Sequence, residues 1–157
     1  MGLDMYLNKK TYVKKWGHTP EENVYKVSVD RERGHAIKSE RVTFIEEELM
    51  YWRKANHIHH FFIEKCGGGD DNCREMYVSE EIILELIENL RKIVEANVAI
   101  GFDVAKETLP TTTGFFFGST NYDNYYFEEC ERTLEELQRL VDEDLFEGGD
   151  LYYQASW

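Results

Sequence analysis

Residue types able to do chemistry concentrate in one stretch of the chain, where His57, His59, His60, Cys66, Asp70, Asp71 and Cys73 lie within seventeen positions. Zinc and iron take such ligands. The spacing speaks against a metal: Cys66 and Cys73 are separated by six residues, His57 and His60 stand three apart, and His59 points elsewhere on a helix. HIHH also lacks the two ligands one turn apart, and the glutamate base, of an HExxH metalloprotease helix. His57, His60, Cys66, Asp70, Asp71 and Cys73 are therefore weak metal candidates, and packing or hydrogen bonding is the expected role. Nothing in the sequence calls for a cofactor. Asp70-Asp71-Asn72 lacks the EF-hand spacing, and Gly67-Gly68-Gly69 lacks the lysine and hydroxyl of a phosphate loop.

The sharper catalytic reading places His59 as a general base in a pocket with Asn56, Arg53 and Tyr122, and Arg53 or Lys54 holding an anion. It describes a small hydrolase or nucleotide-binding protein. The plainer reading gives Asn56 and His59 a structural task, satisfying backbone groups of the glycine-rich or phenylalanine-rich loops.

Those side chains need elements to hold them. Apolar residues at Ile45, Leu49, Trp52, Phe62 and Ile63, with Asn56 and His59 between them, predict one helix from about Thr43 to the Gly67-Gly68-Gly69 stop. Alternation in Leu3, Met5 and Leu7 predicts a strand, and residues 24–29 and 35–38 around Gly34 predict a hairpin. Met76–Val78 reads as a short extended piece. Ser79 then opens a helix reaching about Asn97, with an apolar stripe of Ile82, Leu86, Leu90 or Ile93, and Val94 that Ile83 and Ile87 widen. Residues 98–110 do not declare a structure. Phe115-Phe116-Phe117 between Gly114 and Gly118 suits a buried strand or a loop whose rings cap the core. A last helix runs from Asn124 to about Phe146 behind Asp123, and the aromatic segment 148–157 is expected to fold back, to be flexible or to form an interface.

These elements predict a single α+β domain, a small antiparallel sheet of about three strands packed against three helices. A chain of 157 residues, 42% hydrophobic, can bury a sufficient core without disulfides. No apolar run approaches the roughly 20 residues that span a bilayer. The three cysteines fit reduced thiols and a cytoplasmic location.

Charge is divided unevenly. The net −13 falls wholly in the second half, for residues 1–78 carry thirteen acidic and thirteen basic side chains. Ten acids against two bases lie between Asp123 and Glu147. Such a surface repels nucleic acid phosphates and attracts basic proteins. Glu128, Glu135 and Glu136, with Tyr122, Tyr125 and Tyr126, are the candidate interaction residues, tyrosine combining contact area with a polar tip.

MGLDMYL, the block YWRKANHIHHFF from Tyr51, GGGDDNC and LPTTTGFFFGSTNYDNYY together resemble a family of small, mostly uncharacterised proteins encoded by bacteriophages and prophages. The resemblance implies a phage context and a host bacterial cytoplasm, and carries no catalytic residue with it. The expected function is a non-catalytic accessory protein that binds a basic host protein, such as a defence component, through the acidic helix and its tyrosines. A homo-oligomeric structural component, such as a homo-dimer joined by the last residues, is the remaining alternative.

Overall fold

The computed structural model describes residues 2–96 and 100–157. Asn97, Val98 and Ala99, on which the end of one expected helix and the start of the undeclared segment 98–110 fall, lie outside the described residues; the rest of that segment contains a helix, Gly101–Thr108. The fold is α+β. Its strands are β1 (Asp4–Tyr12), β2 (Phe44–Arg53), β3 (Met76–Val78) and β4 (Asp150–Ser156); its helices are α1 (Asn56–Gly67), α2 (Glu80–Glu95), α3 (Gly101–Thr108) and α4 (Asn124–Asp142). All strand pairs are antiparallel, in the order β2-β1-β4-β3. Four strands and four helices thus stand where about three of each were expected.

Alternation builds the sheet. Leu3, Met5 and Leu7 before and along β1, Met50 and Trp52 on β2, Val78 on β3, and Leu151, Tyr153 and Ala155 on β4 are buried against the helices. Phe62 of α1 stacks on Tyr153 at 4.3 Å between centroids, and the Trp52 indole N–H donates to Thr133 of α4 at 2.8 Å. Each fully buried ring of this kind contributes roughly 1.5–3 kcal/mol. The other sheet face carries Tyr6, Tyr51, Tyr77 and Tyr152, of which Tyr51 and Tyr77 are exposed.

The helix expected to begin near Thr43 is corrected. Its first half is β2, and only Asn56–Gly67 is helical. Ile45, Leu49 and Trp52 have helical spacing, but Met50 and Trp52 also alternate, and pairing with β1 decides. Lys9 faces Glu47 and Lys10 faces Glu46 across the ladder, so the acidic run meets the basic one. Leu49 is an extra residue between Met50, opposite Leu7, and Glu48, opposite Asn8. Lys54, at φ +58°, then turns the chain sharply into α1.

The hairpin expected within residues 23–39 is also absent. The connection from β1 to β2 holds only two 3-10 turns, Glu21–Asn23 and Ser39–Arg41, and its Tyr25, Val29 and Ile37 are exposed. An isolated hairpin is marginal in water, and this one finds no layer to cover it. The phenylalanine run is a loop rather than a strand: Phe117 is 5% exposed, whereas Phe115 and Phe116 are 76% and 44% exposed.

The aromatic end of the chain is an inner strand, bonded to β1 on one side and β3 on the other. A chain ending at Gly149 should therefore lose cooperative thermal unfolding by circular dichroism; a sharp transition within a few degrees of the full-length midpoint would contradict this.

Candidate functional site

The first turn of α1 is polar yet buried: Asn56, His57 and His59 are 1%, 3% and 1% exposed. Such groups are stable there only when their hydrogen bonds are met. Asn56 spends its whole amide on one loop. Its Nδ2 donates to the Phe117 carbonyl at 3.1 Å and the Ser119 carbonyl at 2.8 Å, and its Oδ1 accepts from the Thr112 N–H at 3.1 Å. The loop it grips is tight. Phe117 N–H bonds back to the Gly114 carbonyl at 3.3 Å, Phe116 sits at φ +67°, and a Cβ on Gly114 would lie 2.4 Å from the Phe117 ring.

His59 is enclosed by two partners. Its Nδ1 is 2.7 Å from the Tyr153 hydroxyl and its Nε2 is 2.9 Å from Asp71 Oδ2. An ionised carboxylate only accepts, so Nε2 carries the proton and the Tyr153 O–H donates to Nδ1. The second Asp71 oxygen accepts from the Trp157 indole at 3.1 Å. Both ring nitrogens are thereby used within the protein, leaving neither free to take a proton from a substrate. Burial lowers the His59 pKa against the opposing pull of Asp71.

The proposed pocket residues do not share one cleft. Arg53 lines an open cleft of about 460 Å³ with Lys54, Gly118, Ser119 and Tyr125, whereas His59 borders a separate space with His60, Asp71, Thr112 and Phe117. Asn56 lies beneath the loop between them. The Tyr122 hydroxyl accepts from Thr111 N–H at 3.2 Å.

The metal candidates separate as well. Among the described residues no three histidine, cysteine or acidic side chains are grouped to hold an ion. His57 Nε2 lies 3.6 Å from Cys130 Sγ, under the Tyr126 ring. Cys66 is half-buried, its thiol pushed up to about 11 by desolvation. Asp70 accepts from Asn72 at 2.6 Å, and Cys73 holds a turn at φ +59°.

On α4 the acids do gather on one side, but the tyrosines do not join them. Tyr126 is 2% exposed, and its hydroxyl donates to the Leu109 carbonyl at 2.8 Å. It is core, because it sits one turn before Cys130 on the apolar stripe that continues through Thr133, Leu134 and Leu137. Tyr125 is exposed but turns its hydroxyl to the Arg53 carbonyl, and Tyr122 is half-buried. Glu128 and Glu135 are exposed; Glu136 is half-buried and bound to Arg139 at 2.8 Å. Tyr153 and Trp157, binding candidates as aromatics in the sequence, are instead tied into the His59–Asp71 chain, and Ser119 escaped notice because its contact with Asn56 is long-range.

Two tests follow from this packing. Asn56→Ala leaves two carbonyls and one N–H on the inner side of the 112–119 loop unpaired, and should lower unfolding free energy in urea by about 3 kcal/mol. His57 is held at about 3 by burial. It stays neutral in the folded protein while the unfolded chain takes up a proton below about 6.5. Its contribution is therefore complete above about pH 6.5 and is lost as pH falls toward about 3, at up to roughly 1.4 kcal/mol per pH unit, with His59 acting in the same direction. Between pH 6.5 and 5 urea midpoints should therefore fall for the native chain, and fall less for His57→Gln.

No family model, no curated protein and no solved structure matches this chain.

Proposed function

We propose that the protein is a non-catalytic binding protein whose acidic α4 face docks on a basic protein surface. One observation carries the reading. At about 100° per residue, Glu128, Glu131, Glu135 and Asp142 fall within an arc of about 60°, a row about 21 Å long. None of the four makes an ion pair among the described residues. The two arginines of α4 are committed to the neighbouring row, where Arg132 binds Glu129 at 2.9 Å and Arg139 binds Glu136 and Glu143 at 2.8 Å. The helix thus presents one ion-paired row, with three glutamates sharing two arginines, and one open row.

Four uncompensated carboxylates on a rigid helix steer a basic partner toward the face and fix its register, an effect that salt screens over about 10 Å at 0.1 M. In the phage context that the sequence resembles, the partner is a host protein whose basic surface otherwise holds nucleic acid. His59, with both nitrogens occupied, supports a binding role over a hydrolytic one.

Charge reversal tests this directly. With Glu128, Glu131 and Glu135 all changed to lysine, the protein should keep its melting temperature within a few degrees. It should no longer retain, at about 50 mM salt, a basic host protein that the native bait holds there and releases at about 500 mM. The same protein retained by native and reversed baits, or retention indifferent to salt, would overturn the reading.

A further inference from the structure

A second site lies where the chain breaks its own acidic character. The cleft at the end of β2 is bordered by Arg53, Lys54, Gly118, Ser119 and Tyr125. Lys54 makes no ion pair among the described residues. Arg53 has only the longer approach of its Nε to Asp4, at 3.9 Å, which leaves the outer guanidinium nitrogens open. Glu129, one turn along α4 from Tyr125, is bound by Arg132 at 2.9 Å.

The opposite wall supplies neutral donors. Ser119 Oγ accepts from the Asn121 N–H at 3.0 Å, so its own hydrogen is available. The backbone N–H groups of Gly118 and Ser119 donate to nothing among the described residues. Gly118, at φ +87°, brings this wall against the lysine stem: a Cβ there would lie 3.1 Å from Lys54 Cβ. Asn56 holds the same wall from below through the carbonyls of Phe117 and Ser119, which keeps those acceptors turned away from the cleft. Tyr125 is committed as a donor to the Arg53 carbonyl and serves as a side wall.

We propose that this cleft binds the dianion of a phosphate monoester. A guanidinium fork, an ammonium, a hydroxyl and two amides exceed what the two oxygens of a carboxylate can accept, while the three terminal oxygens of a phosphate monoester can use them all. Both cations sit at a constrained corner, since Lys54 occupies the left-handed region that a non-glycine residue adopts only at a cost. The corner thus fixes where the two side chains leave the backbone.

The test is a titration of the full ¹⁵N-labelled chain followed by its amide resonances, with inorganic phosphate, adenosine monophosphate and O-phosphoserine as probes and sodium chloride at matched ionic strength as control. Saturable shifts of Lys54, Gly118 and Ser119 are expected, with dissociation constants on the order of 1 mM or below for the monoesters. The tighter of the two monoesters identifies a nucleotide or a phosphorylated side chain as the source. Arg53→Gln and Lys54→Asn should each weaken binding about tenfold. Asparagine tolerates the left-handed backbone, so the second variant removes charge without adding strain. Melting temperatures close to native for both variants separate lost binding from lost fold. Shifts that grow linearly without saturation, that chloride reproduces, or that survive unchanged in both variants would overturn the proposal. The reversal of Glu128, Glu131 and Glu135 leaves these donors untouched, so the two sites fail independently.

Discussion

The side-chain amide of Asn56 is the constraint around which the 112–119 loop and the cleft at the end of β2 are arranged. It meets two carbonyls and one N–H of a single loop, with no capacity to spare. Without it, residues 112–119 would have to bury unpaired backbone groups or leave the surface of α1. With it, the loop is fixed in a form that puts Phe117 over the core, exposes Phe115 and Phe116, and sets Gly118 against Lys54. One buried polar residue therefore decides both a packing contact and the shape of an open cleft.

A parallel device ties down the other side of the same turn. Tyr153, His59 and Asp71 form a chain of two hydrogen bonds, and Asp71 extends it to Trp157. Residues from β4, α1, the loop after α1 and the final position are thereby joined through one imidazole. The Phe117 ring meets both His59, edge-on at 5.0 Å, and Trp157, at 5.9 Å. The two polar systems consequently share an aromatic contact. Displacing either would be felt by the other, because buried hydrogen-bond networks gain their strength in a low dielectric and lose it together.

Periodicity in the sequence was enough for α2 and α4, where apolar residues repeat at three and four over sixteen and nineteen residues and Asp123 accepts the Tyr126 N–H as an N-cap. It also gave the inward side of β1 and the buried, hydrogen-bonded state of Asn56. It misled at residues 42–53, where Ile45, Leu49 and Trp52 satisfy a helical period although the strand pairing of Lys9 and Lys10 with Glu47 and Glu46 prevails. That opposition of NKK and EEE was visible in the chain, but its antiparallel register was not. The last strand was illegible for a related reason. Tyr152 and Tyr153 alternate faces only once β1 and β3 are placed on either side. Local sequence determines a helix more fully than it determines a strand, whose partner lies far away along the chain.

The distribution of charge can be understood from the same geometry. A chain with a formal charge of −13 raises the potential against any anion approaching its surface. An anion site in such a protein needs local donors close enough to outweigh the general repulsion, and Coulomb attraction across a few ångströms is much stronger than screened repulsion from carboxylates beyond about 10 Å. Arg53 and Lys54 are consecutive residues at a reversal of the backbone, and α4 brings its own arginine, Arg132, onto the Tyr51 carbonyl at 3.1 Å beside them. The positive groups are thus drawn to one end of β2, while the unpaired acids of α4 follow a different line along the helix. Separation of this kind gives one helix two borders of opposite local potential, because the field at each is set by its nearest charges rather than by the net charge of the molecule.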